Sequence, residues 1–267
     1  MTWPTIRAAS AAALVASILV AATAAGAQQM CARAGAREPD LRIENAKYDG
    51  RFTFARIAYT QSMSGFGRGF SREPFWHHDY PDADLHFTKL ISELSTVRGN
   101  TGRSVILSSD DPELMKFPVA YLVEPGHWEP SDREITGLRN YLKKGGFLII
   151  DDMADRPYGN DVDHFTDVMT RVLPGMRLVE LSADHPIFDA FYRVKSIEYE
   201  HPYYCLKSRF YGIFEDNDPK KRMMVIVNDN NDIGEYWEWS DQGFFAVNPS
   251  NEAYKLGINY VIYALTR

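Results

Sequence analysis

The stretch from Ser131 to Asp152 constrains this chain more than any other. Ser131, with Glu134 three residues on, is a capping box: each side chain accepts a backbone N–H that a helix start otherwise leaves bare. Ile135, Leu138 and Leu142 then recur at three- and four-residue spacing, the stripe of a helix with one buried face. Lys143-Lys144 and Gly145-Gly146 close that helix. Phe147 to Ile150 follow as an unbroken apolar run that ends in Asp151-Asp152. A strand without a polar face has to be covered on both sides, as strands of a parallel sheet are. A helix feeding such a strand predicts an α/β architecture.

The rest of the chain repeats the alternation. Phe52 to Tyr59 alternate and are rich in β-formers, and Val105 to Leu107, Val119 to Val123, Phe210 to Phe214 and Met223 to Val227 read as further strands. A helix is expected from Asp82 to Val97, where Ala83, Phe87, Leu90, Ile91 and Leu94 form its stripe. Others are expected at His164 to Val172, before Pro174-Gly175, and at residues 250 to 265. The pattern predicts one doubly wound domain over residues 51–267, its central sheet mostly parallel. No internal repeat or interior linker is visible.

Residues 1–27 stand apart. Arg7 supplies a basic start, Ala8 to Ala25 are almost all small or apolar, and Ala25-Gly26-Ala27 fits a cleavage site, so the segment reads as an export signal peptide. The alternative is an uncleaved N-terminal tether, since a stretch of about 18 apolar residues lies at the lower edge of spanning length. Cys31 follows Gln28-Gln29-Met30 and not the small apolar residues that lipidation requires. Residues 28–50 read as a flexible leader. The expected location is the periplasm, an oxidising place in which Cys31 and Cys205 are able to pair. No later stretch is long and apolar enough for a membrane span. With 45% hydrophobic and 24% charged residues the chain is of ordinary globular composition. Its formal charge of −7 argues against nucleic acid or an anionic membrane surface as partner, because both need a positive field.

In an open parallel sheet, ligands bind outside the carboxyl ends of the strands. Here those ends carry Thr60 and Gln61, Ser108 to Asp111, Glu124, Asp151 and Asp152, and Asn228 to Asp232. Helix capping and loop hydrogen bonds are the plainer roles for most of these acids. Asp151, Asp152 and His185 are candidate catalytic residues, although neighbours on a strand face opposite ways unless the strand has ended. The loop from Trp76 to Asp84 is the densest functional segment. Trp76, His78, Asp79, Asp82 and Asp84 are candidate ligand contacts, together with Asp152, Asp229 and Asp232. Asp82 and His86 stand four apart on the predicted helix, and with His78 they make a conceivable divalent-ion set, without the spacing of a known zinc motif. Asp82 also suits a helix N-cap. No metal and no cofactor are expected.

Other motifs end early. Ile233 and Trp239 stand where a calcium loop opening at Asn228 needs its turn glycine and its glutamate, so Asn228 to Asp232 read as a solvated loop. Gly65-Phe66-Gly67-Arg68-Gly69 lacks the last glycine of a dinucleotide fingerprint and reads as a flexible loop. No G-x-S-x-G occurs, and Cys205 sits between Tyr204 and Leu206 without the small neighbours of a nucleophile elbow. His201 before Pro202 is either a general base or a loop histidine. Tyr236 to Trp239 either stack a ligand or pack the core.

Taken in order, several of these pieces resemble the DUF4159 family of bacterial exported or membrane-attached domains. They are the strand Phe52 to Tyr59, Trp76 with Asp79-Tyr80-Pro81-Asp82-Ala83-Asp84, Asp111-Pro112 with Phe117-Pro118 and Tyr121, and Leu138 with Tyr141-Leu142. Gly145-Gly146-Phe147-Leu148 with Asp151-Asp152, His185-Pro186-Ile187-Phe188, Asn228 to Trp239, and Leu256-Gly257-Ile258-Asn259 with Tyr263 to Thr266 complete the series. The resemblance implies a flavodoxin-like, class I glutamine amidotransferase-like three-layer sandwich. That fold holds a nucleophilic cysteine just after a strand, where this chain has Asp151-Asp152; the histidine of the trehalose-utilisation-like branch is missing there too. Some relatives carry membrane segments and von Willebrand-type domains and resemble partners of MoxR-type ATPase systems.

The expectation is an exported, non-catalytic domain that binds a small polar ligand or an envelope protein partner at the strand rim. The alternative is a hydrolase using Asp151, Asp152 and a histidine, with or without a metal. Convergence of Asp152, Asp79 and His78 or His185 in one pocket is the mark of the second.

Overall fold

Side chains that alternate along each strand give the sheet two apolar faces, and each face requires a layer of helices. The computed structural model describes residues 44–61, 74–156 and 159–267. The signal segment, most of the leader with Cys31, and the Gly65 to Gly69 loop lie outside the described residues. The strands are β1 (Ala55–Ala58), β2 (Val105–Ser108), β3 (Val119–Val123), β4 (Phe147–Met153), the two-residue pair β5 (Asp155–Arg156) and β6 (Gly159–Asn160), β7 (Val179–Glu180), β8 (Arg209–Phe214) and β9 (Met223–Asp229). The helices are α1 (Asp82–Leu94), α2 (Asp132–Lys143), α3 (Asp161–Val172), α4 (Ile233–Glu238) and α5 (Val247–Thr266).

Seven strands form one sheet in the order β2-β1-β3-β4-β9-β8-β7. The first five run parallel, and β8 pairs antiparallel with both β9 and β7. Tyr121, Ile149 and Ile226 belong to one core with Phe87 of α1, Trp237 of α4 and Tyr260 of α5. Leu122, Ile150 and Val227 belong to the other, with Leu138 of α2 and Phe165 of α3. Each such large apolar side chain contributes about 1.5–3 kcal/mol by leaving water. The result is the expected three-layer α/β architecture with a mostly parallel sheet, and it is consistent with a flavodoxin-like fold. No helix of the described residues is long and apolar enough to cross a membrane.

The capping box is present: Ser131 Oγ accepts from Glu134 N, and Glu134 Oε2 accepts from Ser131 N at 2.7 Å. The other Glu134 oxygen accepts the Thr60 N–H at 2.9 Å, so the same carboxylate anchors the chain leaving β1. Two expectations change. β4 runs on through Asp151 and Asp152, because both are covered by neighbouring elements. Asn228 to Asp232 are all buried and not a solvated loop, since they end a central strand and enter α4.

Candidate functional site

β1 and β3 are neighbours although β2 lies between them in the chain, so the order of winding reverses there and a crevice opens at their carboxyl ends. Arg56 of β1 points toward α1 from beneath this crevice. It is fully buried, and its Nη2 lies 2.6 Å from Asp84 Oδ1. Its Nη1 donates to the carbonyls of Trp76 at 3.2 Å and His78 at 2.7 Å, which pins the loop before α1 over the strands.

Asp151 faces the α4 side. Its Oδ2 accepts from the Tyr121 hydroxyl at 2.8 Å and from Gly234 N at 2.9 Å, and its Oδ1 accepts from Asn228 Nδ2 at 2.9 Å. Asn228 Oδ1 in turn accepts from Tyr260. Donors from β3, β9 and α4 engage this carboxylate, so Asp151 pins the start of α4 to β4.

The next residue escapes strand alternation. Pairing with β9 shifts register between Ile150 and Met153, and Asp152 adopts φ 53°. Such a bulge re-aims a side chain. Asp79, Glu124 and Asn230 at the same rim also have positive φ, a conformation that Asp and Asn tolerate better than most residues.

The two aspartates at the rim meet one imidazole. His78 Nδ1 lies 3.1 Å from Asp152 Oδ2 and 3.3 Å from Asp79 Oδ1. Donor atoms of His78, Asp152 and Asp232 lie within 4.8 Å of one another, and those of His78, Asp79 and Glu235 do the same. Asp232 Oδ1 also caps α4 by accepting from Glu235 N at 3.0 Å. The Tyr203 hydroxyl donates to Glu235 Oε1. Asp79 is 4% exposed, and neither of its oxygens accepts a hydrogen bond.

Electrostatics follow from this crowding. The negative charge of Asp79 raises the His78 pKa, burial opposes the rise, and Asp152 adds to it by hydrogen bond and charge. Burial raises the Asp79 carboxyl well above the ordinary range; His78 opposes, while Glu235 and Asp152 add repulsion. Asp232 is raised for the same first reason, with Asp152, Asp79 and Asp151 repelling it. Burial also lifts Asp151 to about 6 against the hydrogen bonds from Asn228, Tyr121 and the α4 backbone.

Beside the cluster lies a cleft of about 470 Å³, whose lining includes His201, Asn231, Tyr236 and Glu252. Asn231 Oδ1 accepts from Asp232 N, while its buried Nδ2 has no partner.

Of the residues singled out from sequence, His78, Asp79, Asp152 and Asp232 come together. The others do not. Asp84 is consumed by Arg56. Trp76 packs against the core on the α2–α3 face, and its carbonyl serves Arg56. Asp82 is an exposed first-turn residue of α1, whose N-cap position is Pro81. His86 donates from Nδ1 to the Trp237 carbonyl at 2.9 Å, and among the described residues no group of three metal-ligating side chains includes it or Asp82. Asp229 pairs with Arg209 at 2.7 Å. His185 packs against Phe214, which pairs with Met223 at the start of β9, so it lies at the amino ends of the strands, the wrong end of the sheet. Glu235, Tyr121 and Tyr203 were not among the candidate site residues. Glu235 had a signal, because Asp232-x-x-Glu235 is a helix-start signature.

The described residues carry this rim within the segment that one family profile covers. The family described as a domain of unknown function, DUF4159, matches residues 53–265. The chain belongs to the DUF4159 family. No curated protein matches it. Every residue of the rim cluster, from His78 to Glu235, falls inside the DUF4159 match.

Proposed function

We propose that this DUF4159 domain is an exported binding domain that takes a small polar ligand at its carboxyl rim and recognises it through positive charge. One observation carries the reading: Asp79, Asp152, Asp232 and Glu235 gather around a single imidazole. Buried carboxylates are costly without a countercharge, so an arriving cation gains what the fold has left uncompensated. The adjoining cleft, lined in part by Asn231, has room for the body of the ligand.

The test is thermal unfolding of the full chain with Mn²⁺, Zn²⁺, Ca²⁺, arginine or putrescine, each against NaCl at equal ionic strength. At least one cation is expected to raise the Tm of the wild-type chain and to lose that effect in Asp232→Asn. A panel in which none exceeds NaCl overturns the reading.

A second reading, hydrolysis through Asp152 and His78, draws support from the convergence of these residues with Asp79. The acids around His78 favour its protonated form, which suits proton donation and not proton abstraction. Binding therefore leads. Turnover of a chromogenic ester that is lost in Asp152→Asn would reverse that order.

A further inference from the structure

We infer that His78, Asp152 and Asp232, extended by Asp79 and Glu235, form a divalent transition-metal site. The inference rests on the reading of the rim as a cation site and adds the identity of the cation.

Geometry comes first. Ligands in a tetrahedron about 2.0–2.1 Å from an ion stand roughly 3.3 Å apart. His78 Nδ1 lies 3.1 Å from Asp152 Oδ2 and 3.3 Å from Asp79 Oδ1, close to that edge length. The donor atoms of each triad lie within 4.8 Å of one another, a separation that side-chain rotation can close onto one ion. Together the two triads draw on the loop before α1, the bulge of β4 and the start of α4, so the donors of these three segments converge by fold and not by chain proximity.

The second observation is independent of the acid count. A single Nδ1–H serves one acceptor at a time, yet two carboxylates face it. Asp79 is the one left over, buried with both oxygens lacking hydrogen bonds. Its Oδ2 lies against Gly234, where an added Cβ would stand only 2.5 Å off. An ion takes several oxygens at once and satisfies what one proton does not.

The donor set also selects the ion. Calcium and magnesium take oxygen ligands, whereas an imidazole among carboxylates suits manganese, iron or zinc. His78 is 44% exposed at its side chain, which leaves the site an entry path from solvent.

The full chain, stripped with EDTA and dialysed, is titrated with Mn²⁺ alone, free ion being read by electron paramagnetic resonance, and separately with Zn²⁺ by calorimetry. One ion per chain is expected, bound at least tenfold more weakly after His78→Gln or Asp152→Asn and tighter than Ca²⁺ or Mg²⁺. Bound Mn²⁺ is also expected to show electron-spin-echo modulation from a directly coordinated imidazole nitrogen, a readout on the wild-type chain that needs no variant to fold. Absence of a stoichiometric ion, or a bound ion without nitrogen modulation, overturns the inference. If arginine or putrescine raises the Tm while neither ion binds, the metal falls and the rim reading stands; if nothing binds, both fall.

Discussion

The Asp79 carboxylate packs on the bare Cα of Gly234: a methyl group added there would stand 2.5 Å from Asp79 Oδ2 and equally close to the Tyr121 hydroxyl. Two elements far apart in the chain thus meet at a point with no room for a side chain. Gly234→Ala is expected to destabilise the fold by about 1–3 kcal/mol, the usual cost of overpacking a filled site. It also pushes Asp79 from its place and weakens cation binding. Urea unfolding with parallel cation titration measures both, and an unchanged midpoint would contradict the packing.

The Arg56–Asp84 pair lies wholly inside the protein, with both side chains at zero exposure. Asp84→Ala strands the guanidinium, and breaking a buried pair costs about 3–5 kcal/mol. The double variant Arg56→Met/Asp84→Leu is expected to regain much of that loss in stability while loosening the loop that Arg56 ties through the Trp76 and His78 carbonyls. Denaturant midpoints of the two variants decide it: a single variant no worse than the double argues against a stranded charge.

Stability also acquires a pH dependence with a definite sign. Burial raises Asp151 from an ordinary 3.8 to about 6 in the fold. Between these values the native state holds a proton that the unfolded chain has released, so stability is greatest below about 4 for this group and falls as pH rises through about 6. Asp151→Asn removes that contribution. The hydrogen-bond chain survives the change if Asn228 turns its amide, since the Tyr260 hydroxyl is able to accept as well as donate. The Tm of the variant is expected to decline less than that of the wild type across this window; parallel declines would count against the assignment.

His86 and His185 serve as internal controls. His86 is engaged with the Trp237 carbonyl, and His185 lies among Phe214 and Tyr263 at the amino ends of the strands. Substituting either by Ala is expected to leave Mn²⁺ and amine titrations within twofold of wild type. A tenfold loss for His86→Ala would restore the helix-borne set with Asp82.

The sequence by itself determined the elements whose causes are local. A capping box, a three- and four-residue apolar stripe and an unbroken apolar run act through contacts within a few residues, and α2 and β4 start where those signals place them. Ends were less legible: α1 stops at Leu94, because Ser95 turns extended where the apolar stripe alone continues to Val97. The acidic rim was also visible, as polar residues after each apolar run. Which acids meet was decided only by the tertiary structure. Asp152 joins His78 because a bulge in register with β9 turns it, and Asp84 leaves the set because a buried arginine on β1 claims it. Asp151 and Asp152 are adjacent in the chain, yet one pins a helix and the other faces the imidazole. Pairing between distant segments sets those directions, and no local pattern encodes it.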